Sequence, residues 1–287
     1  MAARLNALVR SGEDAELFLL YEGADGDFRR ILGRNVREYV KSLLPWLDSA
    51  PQTNEVARSG VLWPGVMEIA RRFGPQVELL EIGASGGLNM NMDRFGYDFG
   101  GVKAGEPESA VQLAPAWTGP LPRPVTVEVV ARRGVDLNPL DLTHPEVSER
   151  MLAYIWPDQP VRLARAEAAI ALLRKHPPQI DASDGAAWIE DQLAHPQPSG
   201  VTRIVYHSIA LQYFPEASRT RVVEAIKAAG ARADEAHPLA WLAMEFRDTV
   251  SAAPQLTLRC WPGGGAEEHL ATVHPHGATV NWVAETG

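Results

Sequence analysis

Val77-Glu78-Leu79-Leu80-Glu81-Ile82-Gly83-Ala84-Ser85-Gly86-Gly87-Leu88-Asn89 joins an apolar run, a glycine-rich turn and a helix start within thirteen residues. Residues 77–82 are a short apolar run with the composition of a buried strand. The glycines and small residues of 83–87 then force a tight turn, and Leu88-Asn89-Met90 opens a helix. Ligands of open α/β sheets bind outside the carboxyl ends of the strands, so this turn lies where a ligand would sit.

N-terminal to that strand the periodicity is helical. Leu5, Leu8 and Val9, then Leu17, Leu20 and Tyr21, then Val36, Tyr39, Val40 and Leu43 recur at three- and four-residue spacing. Gly23, Gly26, Gly33, Pro45, Pro51 and Pro64 cut the region into short helices. Residues 1–76 are therefore expected to form a helical cap or lid, and 77–287 the core.

C-terminal to it, residues 93–124 are rich in Gly and Pro and are expected to be an insertion holding a hairpin. A second strand, from 125–130 onward, ends near Asp136. Thr143 and Glu146 have the form of a capping box, with Pro145 in the first helical turn. A helix follows within 160–175, with Leu163, Ala166, Ile170 and Leu173 on one face, then an extended piece near Asp181 and a brief helix over 186–193. Strand 202–207, helix 216–229 and strand 239–246 continue the alternation. Residues 255–261 and 270–283 close the chain as an antiparallel pair joined through Gly263-Gly264-Gly265. Strands alternating with helices predict an α/β fold, a doubly wound and mostly parallel sheet covered on both faces.

Composition removes several functions. Lys and Arg number 27 against 36 Asp and Glu, a net charge of -9, and there is no basic run to follow a phosphate backbone, so nucleic acid is not an expected partner. The single cysteine, Cys260, excludes an intramolecular disulfide. No apolar run reaches membrane-spanning length, and the start of the chain lacks an apolar signal core, so a cytoplasmic location and no membrane association are expected. His269, His274 and His276 lack accompanying ligands at metal spacing, and no metal is expected.

Three chemistries use a glycine turn of this kind. A dinucleotide fingerprint, G-x-G-x-x-G, fails because Ser85 and Leu88 stand at its second and third glycines. A hydrolase elbow, G-x-S-x-G, is satisfied with Ser85 as nucleophile, but that fold sets strands before the elbow where this chain reads as helices. The third reading resembles the class I S-adenosylmethionine-dependent methyltransferases, whose first motif corresponds to Glu81-Ile82-Gly83-Ala84-Ser85-Gly86-Gly87, with Ser85 in place of the middle glycine. Gly134-Val135-Asp136-Leu137-Asn138-Pro139 is similar to the second motif, in which the acidic residue accepts the ribose hydroxyls. Asp184-Gly185-Ala186-Ala187-Trp188 is similar to the third, near the adenine, with Asp181 as a competitor. The stretch from Ile204 through His207 and Ser208 to Phe214 matches the strand bordering cofactor and substrate.

A finer resemblance spans nearly the whole chain, to a bacterial family of unknown function, DUF2332. It rests on Gln52 to Ser59, Gly83 to Asn89, Arg133 to Asp141, Trp156 to Gln159 and Pro275-His276-Gly277. These resemblances imply a Rossmann-like core binding S-adenosylmethionine through Asn54, Arg58, Glu81, Gly83, Ala84, Ser85, Gly87, Asp136, Leu137, Asp184, Gly185, His207 and Ser208. Arg58, in a lid, would pair with the methionine carboxylate.

Each residue also has a plainer role. His207 is either a satisfied core histidine or a general base. Tyr213 and Glu245 join it as catalytic candidates, although Tyr213 suits the core and Glu245 a cap or a salt bridge to Arg247. The expected function is methyl transfer to a small-molecule acceptor. The rivals are a serine hydrolase built on Ser85 and a regulatory protein that binds the cofactor without turnover.

Overall fold

The computed structural model describes residues 2–47, 52, 54–248 and 250–284; Pro51 and Thr53, named in the sequence motifs, lie outside them. The chain divides into two compact units, Met1–Thr53 with Asp141–Arg174, and Asn54–Leu140 with Lys175–Gly287.

The first unit is helical: α1 (Ala2–Arg10), α2 (Ala15–Tyr21), α3 (Phe28–Glu38) and α4 (Val40–Leu43), with α6 (Pro145–Leu152) and α7 (Pro160–Lys175), which ends at the unit boundary. Asp14 and Asp27 cap α2 and α3 by accepting the N–H groups of Leu17 and Arg30. Leu5, Leu8, Leu17 and Ile31 form its core. The expected boundary at residue 76 is displaced for two reasons. Buried Asn6 donates to the carbonyls of Ala153 at 3.0 Å and Ile155 at 2.8 Å, and Arg10 pairs with Glu149 and Glu167, which recruits residues 141–174 to this unit. Helix α5 (Ser59–Phe73) is buried over most of its length, including Val61, Leu62, Trp63, Val66 and Ile69, and belongs with the sheet.

The expected capping box at Thr143 does not form. Asp141 takes both the hydroxyl and the N–H of Thr143, and His144 becomes the N-cap of α6.

The second unit is a mixed α/β structure around a large, mostly parallel sheet. Its strands are β1 (Gln76–Ile82), β5 (Ala116–Thr118), β6 (Glu128–Asp136), β7 (Ile180–Ala182), β8 (Thr202–Ser208), β9 (Leu239–Glu245), β10 (Gln255–Trp261), β11 (Glu268–Val273) and β12 (Thr279–Trp282). They lie in the order β5-β12-β11-β10-β9-β8-β1-β6-β7. The insertion adds β2 (Gly96–Phe99), β3 (Val102–Gly105) and β4 (Gln112–Leu113), where β2 and β3 form the expected hairpin. The last expected strand is two, because the turn at His274-Pro275-His276-Gly277 breaks it into β11 and β12.

Within the parallel part, β7-β6-β1-β8-β9, the chain leaves β1 toward β6 and β7 and then returns to the other side of β1 with β8. That reversal is the topological switch point, and the turns after β1 and β8 flank it. Helices α8 (Gly185–Gln192) and α9 (Glu216–Gly230) cover one face through Trp188, Ile189, Val222 and Ile226 against Leu80, Ile82, Val205 and Leu239. The other face meets α5, where a methyl on Gly65 would lie 2.7 Å from Leu242 Cδ1. No helix among the described residues is long and apolar enough to cross a membrane.

Candidate functional site

Two parallel strands end side by side and lock the glycine turn. Ile82 pairs with Val135, so β1 gives way to the turn as β6 reaches Asp136. The Val135 carbonyl accepts both Gly83 N–H at 2.9 Å and Ala84 N–H at 3.0 Å. The Ser85 N–H donates to Asp136 Oδ2 at 2.9 Å and the Gly86 N–H to Asn54 Oδ1 at 2.9 Å. Gly87 N–H closes the turn on the Ala84 carbonyl at 2.7 Å. Every N–H from Gly83 to Gly87 therefore has its acceptor inside this unit.

Backbone conformation explains part of the composition. Gly83 has φ 74° and Gly87 φ 73°, values costly for a side chain, and Ser85 adopts φ 52° without being glycine. Asn54 compensates for that strain by donating from Nδ2 to Ser85 Oγ at 2.8 Å. At Gly134 a methyl would meet Ala84 Cβ at 2.8 Å and Met90 Sδ at 2.9 Å, so this strand position must be bare for the turn to lie against it.

Asp136 is half-buried, and its other oxygen, Oδ1, accepts the Asn138 N–H at 2.9 Å. Beneath the turn, Glu81 is buried and Tyr206, its register partner on β8, donates its hydroxyl to Glu81 Oε2 at 3.0 Å. Burial pushes the Glu81 carboxyl up to about 8; the nearby Asp136 adds to the rise, while the Tyr206 bond and the Arg58 charge oppose it. Glu81 is thus mostly protonated at neutral pH.

The segment Asn54 to Arg58 lies on this site. Glu55 caps the 3₁₀ turn Val56–Arg58 by accepting the Ala57 N–H, and Arg58 donates to the carbonyls of Ser208 at 2.9 Å and Pro275 at 3.0 Å. The turn between β11 and β12 closes against the same segment: His276 Nδ1 lies 3.4 Å from Glu55 Oε2, and a methyl on Gly277 would come within 2.2 Å of the Ala57 carbonyl oxygen. Three stretches far apart in sequence, 54–58, 83–89 and 275–277, therefore meet at one end of the sheet. A family model described as "uncharacterized protein conserved in bacteria (DUF2332)" matches residues 1–282. The chain belongs to the DUF2332 family. No curated protein and no solved structure matches it.

The remaining candidates of this DUF2332 chain fall into two groups. At the rim, Leu137 is 71% exposed and Tyr213, closing the 3₁₀ turn Leu211–Tyr213, is 76% exposed. Asp184 caps α8 through the Ala187 N–H, whereas Asp181 is held by Arg133 and by Trp188 Nε1 at 2.6 Å. Gly185 is where Phe214 packs, 2.9 Å from the position of a β-carbon.

His207 and Glu245 form the second group, inside the protein. Glu245 Oε1 accepts three bonds, from His207 Nδ1 at 2.8 Å, Ala210 N–H at 2.8 Å and Leu211 N–H at 3.1 Å. Trp241 Nε1 donates to His207 Nε2 at 2.9 Å, so in the buried ring Nε2 is the acceptor and Nδ1 the nitrogen facing Glu245. Burial raises the Glu245 carboxyl, but the His207 bond and the two amides outweigh it and hold the group below its ordinary range. Both ring nitrogens of His207 are occupied, so as folded it anchors Glu245 and has no nitrogen for a substrate proton. Glu245 serves as a cap for the turn after β8, the role set beside catalysis for it. Its expected salt bridge does not form, and Arg247 pairs instead with Glu267.

Tyr206, Trp241 and the Asn54–Gly86 bond were not assigned site roles from sequence. Tyr206 was within reach, since strand alignment sets it opposite Glu81. Trp241 and the particular partner of Asn54, itself an expected binding residue, depend on side-chain direction across elements, for which the sequence carries no signal. Among the described residues no group of three or more His, Cys, Asp or Glu is arranged to hold a metal.

Proposed function

We propose that this chain binds S-adenosylmethionine at the turn following β1 and passes its methyl group to a small-molecule acceptor. The supporting observation is the combination of a glycine turn whose amides are all committed within the protein and a half-buried carboxylate, Asp136, locked beside it. Phosphate ligands need unengaged amides at such a turn. A nucleoside without phosphates needs close backbone approach and an acceptor for its ribose hydroxyls, and this donor set fits it. Each Asp136 oxygen holds one backbone bond and keeps a lone pair for a hydroxyl.

The bound cofactor would supply an electrophilic methyl group on a sulfonium. Asp136 would orient the ribose, and Leu137 offers an apolar surface next to it. Arg58 sets positive charge beside Glu81 at the end of β8, and it is the residue to which the resemblance gives the cofactor's carboxylate. With His207 and Glu245 committed to each other, the chain acts on its acceptor chiefly by positioning. An acceptor already unprotonated at its reacting atom suits this site.

One observation favours the serine hydrolase: Ser85 has the positive φ of a residue on a strained elbow. Against it, an oxyanion hole would use the N–H of the following residue, and Gly86 gives that N–H to Asn54. Calorimetry with S-adenosylmethionine and S-adenosylhomocysteine tests the proposal, with a fluorophosphonate probe run alongside. Binding without probe labelling supports it; labelling of Ser85 without binding establishes the hydrolase. Binding with no methyl transfer to any acceptor offered favours the regulatory reading.

A further inference from the structure

The turn after β8 contains a second strained residue. Ile209 has φ 51°, a conformation that a β-branched side chain strongly resists. Such a residue persists only where its surroundings over-determine it, and here they do. The Ile209 N–H donates to the Met244 carbonyl at 2.7 Å, and the next two N–H groups, Ala210 and Leu211, both go to Glu245 Oε1. Glu245 is in turn fixed from behind by His207, and His207 by Trp241. Arg58 grips the preceding carbonyl, that of Ser208.

The strained turn is also what the glycine turn rests on. A methyl placed on Gly83 would lie 2.6 Å from Ala210 Cβ, closer than side chains approach. Further along, Phe214 fills the space over Gly185 at the start of α8.

We propose that Glu245, backed by His207 and Trp241, is a positioning residue that holds the turn after β8 against the glycine turn, so that the two loops flanking the switch point keep their form together. The chain of contacts is Trp241 to His207, His207 to Glu245, Glu245 to Ala210, and Ala210 to Gly83. Glu245 touches no reacting atom in this role. It acts through Ala210, and its consequence for the proposed cofactor site rests on the reading above. The coupling of the two turns does not.

The experiment is amide hydrogen exchange on the full chain, read residue by residue by NMR. Three variants are compared with wild type: Glu245→Ala; Trp241→Phe, which keeps a ring but removes the donor to His207; and Glu245→Ala combined with Ile209→Gly. Both single variants should speed exchange at Ala210 and Leu211 and also at Gly83 and Ala84, by about tenfold in Glu245→Ala, with β10 and β11 unchanged. Glycine at 209 removes the strain and should restore protection at Gly83 and Ala84, an outcome that loss of packing alone would not give. Faster exchange at Ala210 and Leu211 with Gly83 and Ala84 at wild-type rates would overturn the coupling. So would a failure of Ile209→Gly to restore them. If Glu245→Ala does not fold, Trp241→Phe decides by the same comparison. S-adenosylhomocysteine titrated into the same samples should bind about tenfold more weakly to Glu245→Ala. Lack of binding by wild type counts against the cofactor reading, while the exchange rates still decide the coupling.

Discussion

Asn54 Oδ1 accepts the Gly86 N–H at 2.9 Å while Asn54 Nδ2 donates to Ser85 Oγ at 2.8 Å, so one carboxamide satisfies two groups of a strained turn. The same bond removes the amide that an oxyanion hole or a phosphate would require. Asn54→Ala strands the Gly86 N–H and should lower stability by about 1–3 kcal/mol. Urea unfolding checks this: the midpoint should fall with the slope unchanged, and an unaltered midpoint would show that the latch has no weight.

Glu81 gives stability a pH dependence. Its carboxyl is raised by burial from the ordinary 4.5 to about 8 in the folded chain. Between those values the folded state holds a proton that the unfolded state has released. The contribution is therefore complete below about pH 4.5 and lost as pH rises through about 8. Glu81→Gln is neutral at every pH and should abolish this loss, so the variant should melt higher than wild type at pH 8 and nearly level with it at pH 5. Parallel melting curves across that window would contradict the assignment.

The β1 strand, its glycine turn and Asp136 at the end of β6 were legible because each rests on local pattern: a short apolar run, small residues at a turn, and an acid where a β-branched strand stops. Helix Pro160–Lys175 was readable for the same reason. The Thr143 capping box was not realised because Asp141 competes for the same side chain and N–H. The division into units escaped a linear reading, because Asn6 finds its carbonyl partners near residue 154. His207 shows the limit most clearly. Its place after an apolar strand leaves core residue and base equally open, and its bonds to Trp241 and Glu245 depend on side-chain positions that local pattern does not carry.

Gly134 tests how closely the turn lies on β6. Gly134→Ala brings a methyl within 2.8 Å of Ala84 Cβ and should destabilise the chain by about 1–3 kcal/mol. Gly33, inside α3 with only the end of Arg37 near it, is the contrasting position. Gly33→Ala should stabilise by about 0.5–1 kcal/mol. Thermal unfolding of the two variants should move in opposite directions; a shared direction would refute the packing argument.

Ser85 separates the two chemistries. If its hydroxyl serves the turn and not catalysis, wild type should resist a fluorophosphonate probe, and Ser85→Ala should still bind S-adenosylhomocysteine within about threefold of wild type, since one surrendered neutral hydrogen bond is worth about 1 kcal/mol or less. Intact-mass measurement after probe treatment checks the first statement and calorimetry the second. Stoichiometric labelling at Ser85 would reverse the assignment.

Asp136 stands beside the turn after β1 with lone pairs left for a ribose. The most direct test is calorimetric titration of S-adenosylhomocysteine into wild type and Asp136→Asn, which keeps an acceptor for one of the two backbone N–H groups. Wild type should bind saturably and the variant should lose about 2 kcal/mol or more, as a charge-assisted pair of bonds to the ribose is removed. Equal affinity in the two proteins, or no heat with wild type, would contradict this role of Asp136.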